Sequence, residues 1–127
     1  MHETPYTRGF RLAFAIAVLL IGYLAFGKLE ASPITRINDK LEHAAAFLAL
    51  AFLLDFAWPR RGWHVHKAAP LLAYGLFIEL VQYFLPYREF SLWDLAADSL
   101  GLALYPMALP LLKRTPGLAV RWYSVTN

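Results

Sequence analysis

Cysteine is absent from the 127 residues, so the chain has no disulfide framework, no thiolate metal site and no cysteine nucleophile. Charge is also scarce. Only 17% of residues are Asp, Glu, Lys or Arg, against about 25% in an ordinary soluble domain. With 59% hydrophobic residues and a mean hydropathy of +0.44, too few polar side chains remain to cover one soluble core. The length excludes several large domains, and a single domain over residues 1–127 is expected. The formal charge is +3, but the Lys and Arg residues are scattered between apolar runs and form no basic stripe, which argues against a nucleic-acid partner. What remains is the composition of an integral membrane protein.

Crossing the hydrocarbon core as a helix takes about 20 mostly apolar residues. Four runs approach that length: Phe10–Phe26, Leu41–Trp58, Ala68–Leu85 and Trp93–Leu112. Between them lie Lys28–Asn38, Pro59–Lys67 and the short Pro86–Ser91, rich in turn formers or charge. No alternation of the barrel kind is present, so helices must satisfy the backbone in lipid. The fold class is therefore all-α, a polytopic bundle of four transmembrane helices. The first run could instead be a signal peptide flanked by Arg8 and Arg11, but its length and the lack of a small-residue cleavage site favour a retained helix.

Orientation follows from the basic residues. Arg8, Arg11, Arg60, Arg61, Lys67, Lys113, Arg114 and Arg121 fall on one side of such a bundle, and only Lys28, Arg36, Lys40 and Arg88 on the other. Both termini are then expected in the cytoplasm. Trp58, Trp63, Trp93 and Tyr87 lie near the span ends, as an aromatic belt requires.

Most polar residues within the spans collect near the outer ends of the second, third and fourth helices. Asp39 and His43 are four apart on one face, as are Asp94 and Asp98, and Gln82 follows Glu79 by three. Glu79 and Asp98 each sit about 10 Å below the outer end at 1.5 Å per residue. Arg88 stands in the turn above them. Local explanations exist for some: Asp39-x-x-Glu42 and Ser91-x-x-Asp94 fit capping boxes, and Lys40 can snorkel to the interface. His43 suits hydrogen-bonded packing as well as chemistry. Asp55, His64 and His66 read as interfacial residues of the opposite side. Capping within one helix does not explain Glu79 or Asp98, and ionisable groups inside spans mark functional sites by default. Asp94, Asp98, Gly101 and Tyr105 share one stripe of the fourth helix, expected to face inward. Ala13-x-x-x-Ala17, Ala45-x-x-x-Ala49 and Ala97-x-x-x-Gly101 would allow close helix approach, and Pro106 and Pro110 would bend the fourth helix.

The series Asn38-Asp39-Lys40-Leu41-Glu42-His43, Glu79-x-x-Gln82 and Pro86-x-Arg88-x-x-Ser91-x-x-Asp94-x-x-x-Asp98-x-x-Gly101 resembles the VanZ-like family of small bacterial membrane proteins, over about residues 38–104. One departure is that the family often carries Asn where this chain has Asp98. The resemblance implies a multi-pass protein of the bacterial inner membrane, in a family whose founding member is associated with resistance to the glycopeptide teicoplanin. It settles no catalytic role.

Three functions fit these residues. In the first, the site handles an envelope lipid or lipid-linked glycan, by hydrolysis or group transfer if it is catalytic. His43, Glu79 and Asp98 would move protons, while Asp39, Lys40, Gln82, Arg88, Ser91 and Asp94 bind substrate, with Arg88 and Lys40 on a phosphate or carboxylate. In the second, the cluster is structural and the outer loops bind a partner. In the third, His43, Asp39, Glu79 and Asp98 hold zinc or a harder divalent ion, although one imidazole among carboxylates is thin support, and no metal ligand is assigned. The expected partners are membrane lipids, a lipid-linked envelope precursor or glycopeptide, and a second copy of the chain, since four short helices make a thin bundle. The cofactor is left open.

Overall fold

The computed structural model describes residues 5–26, 33–59, 62–86 and 91–119, and the side chains of residues 5 and 33–39 lie outside that description. Four helices follow one another: α1 (Pro5–Phe26), α2 (Pro33–Ala57), α3 (Val65–Phe84) and α4 (Leu92–Arg114). A proline opens both α1 and α2, where its missing N–H and fixed φ suit a first turn. The second helix thus begins well before the apolar run at Leu41. Asp39 lies inside it and is not its cap, so the expected Asp39-x-x-Glu42 capping box does not form. Ser91 does cap α4, its hydroxyl accepting the Asp94 N–H at 3.3 Å. The fourth helix then runs without interruption through Pro106 and Pro110.

The helices alternate in direction. The start of α1 meets the end of α2, where Arg11 donates through Nε to the Ala57 carbonyl at 3.0 Å and lies 5.0 Å from the Trp58 ring. At the other end of α1, the Ala25 carbonyl accepts from Gln82 near the end of α3. The α2 helix is the centre of the bundle: it packs most extensively on α4, then on α1, while α3 touches all three. Phe47, Leu50, Ala51, Leu71, Leu102 and Tyr105 form the buried apolar core. Stacked rings dock α1 onto α2, with Phe10 at 5.7 Å from Phe52 and 5.2 Å from Phe56.

The tightest approach is between α4 and α2. A Cβ on Gly101 would overlap the Ala44 carbonyl oxygen and come within 3.0 Å of the Leu48 nitrogen. Gly101 therefore serves the close approach its spacing implies. Ala45 and Ala49 do not, because α2 turns Ala44, Phe47 and Ala51 inward and leaves those two exposed.

The outer surface is apolar. Leu72, Leu76, Phe77, Leu80, Tyr83 and Phe84 are exposed along α3, the same helix that buries Lys67, Glu79 and Gln82. Two helices, over Tyr6–Phe26 and Leu92–Arg114, are long and apolar enough to cross a membrane.

Candidate functional site

Packing antiparallel helices brings the start of α2, the end of α3 and the start of α4 to one end of the bundle. That end gathers most of the polar residues singled out in the sequence. His43 Nδ1 is hydrogen-bonded to Asp98 Oδ1 at 2.8 Å, with Nδ1 the donor when Asp98 is ionised, and its Nε2 lies 3.8 Å from Asp94 Oδ2. A carboxylate acceptor on Nδ1 fixes the tautomer and turns Nε2 toward Asp94. Lys40 does not snorkel away. Its ammonium pairs with Asp94 Oδ1, so two polar links join α2 to α4.

Glu79 is 0% exposed, as is Asp98. Its Oε2 accepts the backbone N–H of Ser91 at 2.9 Å, which caps the start of α4 from a neighbouring helix. In a capping box the residue at position 94 would take that N–H. Here Glu79 takes it, and the Asp94 carboxylate is turned to Lys40 and His43. Among the described residues, Glu79 Oε1 has no hydrogen-bond partner. Ligand atoms of His43, Glu79 and Asp94 all lie within 4.8 Å of one another. Asp98 also fits against α3 at Gly75, where a Cβ would come within 2.7 Å of its Oδ2.

Gln82 is 2% exposed and donates through Nε2 to the Ala25 carbonyl at 2.8 Å, closing the end of α1. Its Oε1 has no partner among the described residues. Beside it, α1, α2 and α3 line a half-open pocket of about 110 Å³, walled by Ile21, Leu24, Ala46, Phe47 and Ile78, with Glu42, His43 and Gln82 as its polar members. The Asp39 side chain and Arg88 lie outside the described residues.

The stripe Asp94, Asp98, Gly101 and Tyr105 is buried throughout, as its spacing implies. The opposite end departs from the expectation. Asp55 is not interfacial: it is 1% exposed, paired with Lys67 at 2.6 Å and accepting from the Tyr105 hydroxyl at 2.5 Å. Lys67, counted above as a loop charge, also donates to the Trp58 carbonyl at 2.9 Å and so closes the end of α2. The sequence signal was opposite charges, Asp55 and Lys67, flanking one short turn. His64 and His66 meet edge to face with ring centroids 5.1 Å apart, away from the polar end.

A buried set of acids and an imidazole held at one end of an all-helical bundle defines the class, and comparison with known proteins supplies the family. The VanZ/LLP1 family model matches residues 14–113, and the chain belongs to that family. A Schizosaccharomyces pombe protein described as uncharacterized is 36% identical over 99 residues, covering 72% of this chain. The match spans 56% of that relative's own length. No solved structure matches the chain. The two apolar helices and the family together associate the protein with a membrane.

Proposed function

We propose that all four helices span the membrane and that their polar end handles an amphipathic lipid, with the headgroup at His43, Lys40 and Asp94 and one apolar end in the α1–α2–α3 cavity. The spanning arrangement is supported by α3, which exposes an apolar face and turns Lys67, Glu79 and Gln82 inward. Its 20 residues reach about 30 Å at 1.5 Å each, the thickness of the hydrocarbon core. The basic-residue pattern would put the polar end on the outer side.

The observation that carries the lipid reading is the pocket itself: a half-open apolar groove whose polar wall is Glu42, His43 and Gln82, one layer from buried carboxylates. At about 110 Å³ and half open, it takes a short part of an acyl or prenyl chain, the rest of which lies outside it. Lys40 supplies a cation for a phosphate, and the His43–Asp98 pair supplies an oriented base for hydrolysis or group transfer. The fungal relative favours a ligand shared by bacterial and eukaryotic membranes, a phospholipid or polyprenyl-linked glycan, over a glycopeptide. In a bacterial host the location would be the inner membrane.

Purified chain in detergent, given short-chain phosphatidic acid or a polyprenyl phosphate, tests this by native mass spectrometry. Ala46→Trp fills the pocket from its apolar wall and leaves Lys40, Glu79, Asp94 and Asp98 unchanged, and should remove lipid binding from a folded protein. Undiminished binding would discard the reading. A structural role for the cluster is the second reading, favoured by the Lys40–Asp94 and His43–Asp98 links between α2 and α4. It predicts that neutralising Lys40 lowers the melting temperature and leaves lipid binding unchanged.

A further inference from the structure

We infer that His43, Glu79 and Asp94 form a binding site for one divalent first-row metal ion, with Asp98 as the residue that orients the histidine. The three side chains come from three different helices, and their ligand atoms already lie within 4.8 Å of one another. Ligands around a tetrahedral ion at about 2.1 Å stand about 3.4 Å apart. The His43 Nε2 to Asp94 Oδ2 separation of 3.8 Å is near that value, and rotation of the Glu79 side chain supplies the rest.

Two further observations point to a cation there. Glu79 is fully buried, and its Oε1 has no hydrogen-bond partner among the described residues, while Oε2 is held by the Ser91 N–H. A buried carboxylate oxygen left in this state is costly unless a proton or a cation meets it. The second is the His43 hydrogen bond. Nδ1 is bound to Asp98, which directs Nε2 at the Asp94 carboxylate, the carboxylate–histidine arrangement that orients imidazole ligands toward metals. Lys40 holds Asp94 through Oδ1, on the other oxygen from the one nearest His43.

Mixed imidazole and carboxylate ligands suit Zn²⁺ or Mn²⁺. The assignment deepens the lipid-handling reading and rests on it only for the ion's use, as a partner for a phosphate oxygen; with Nε2 on the ion, His43 acts there as a ligand and not as a base. The test therefore reads metal and lipid separately. The full chain, purified in detergent and stripped with a chelator, is titrated calorimetrically with Zn²⁺ and with Mn²⁺. One ion per chain should bind. Glu79→Gln and Asp94→Asn should lose at least about 100-fold in affinity, and Asp98→Asn about 10- to 100-fold, as for loss of a ligand's orienting partner. Should the variants not fold, Co²⁺ added to the wild-type chain provides the second measurement. Weak visible d–d bands, with no sulfur charge transfer because no thiolate exists, are expected. A folded wild-type chain that takes up none of these ions, or variants that bind them equally well, would overturn the assignment. Lipid binding that persists without metal would leave the lipid reading standing alone, and metal binding without lipid would do the reverse.

Discussion

Glu79 of α3 accepts the backbone N–H of Ser91, the residue that caps α4, at 2.9 Å. The start of one helix is thus closed by a carboxylate from another, and the link fixes the height at which α3 and α4 meet. It also leaves Asp94 facing α2 instead of its own helix terminus.

Glu79→Gln retains an acceptor for the Ser91 N–H and should leave thermal stability in detergent nearly unchanged. Glu79→Ala removes it. The buried donor then has no partner, a loss of about 1–3 kcal/mol. Denaturant unfolding in mixed micelles separates the two variants, and equal losses would mean that the hydrogen bond contributes little.

Gly101→Ala places a methyl group against the Ala44 carbonyl, backbone on backbone, where neither helix can yield by a side-chain rotation. Overpacking of this kind costs about 1–3 kcal/mol. Gly9→Ala is the control, since its Cβ meets nothing within 4 Å and a helix interior favours alanine by about 0.5–1 kcal/mol. The two substitutions should move the melting temperature in opposite directions.

At the other end of the bundle, Asp55→Ala strands the Lys67 ammonium among α2, α3 and Tyr105. Breaking one side of a buried pair typically costs about 3–5 kcal/mol. The double variant Asp55→Leu with Lys67→Met removes both charges and should regain most of the loss. If the double variant is as unstable as the single one, the pair holds geometry that apolar packing does not replace. In either case the polar end should still bind its ligand.

Topology is open to a direct test because the chain has no cysteine of its own. Single cysteines at Glu89 and at Gly62, probed on intact cells with a membrane-impermeant thiol reagent, should label at Glu89 and not at Gly62. The reverse pattern would move the polar end to the cytoplasmic side.

The four helices were legible because apolar runs are a local property, and each run became one helix, close to the expected ends except at the start of α2. The early start of α2 was not, since its first turns are polar and only Pro33 marks the beginning. The inward stripe of α4 could be read from spacing alone, because residues three or four apart must share a helix face. The Ala45-x-x-x-Ala49 pair follows the same rule, yet faces outward. Spacing tells which residues share a face, not which face the neighbours cover.

For the site, the sequence determined the cast: acids and one histidine near the ends of three helices, too costly in an apolar setting to be incidental. Tertiary structure decided the pairings. Whether Glu79 reaches the start of α4, whether Asp55 meets lipid headgroups or Lys67, and whether Lys40 reaches outward or to Asp94 all depend on how the helices rotate against one another. Those rotations are set by Gly101 against Ala44 and by the Phe47, Leu50 and Tyr105 core, contacts between residues distant in sequence. Local pattern fixes what a helix carries. Packing fixes what it faces.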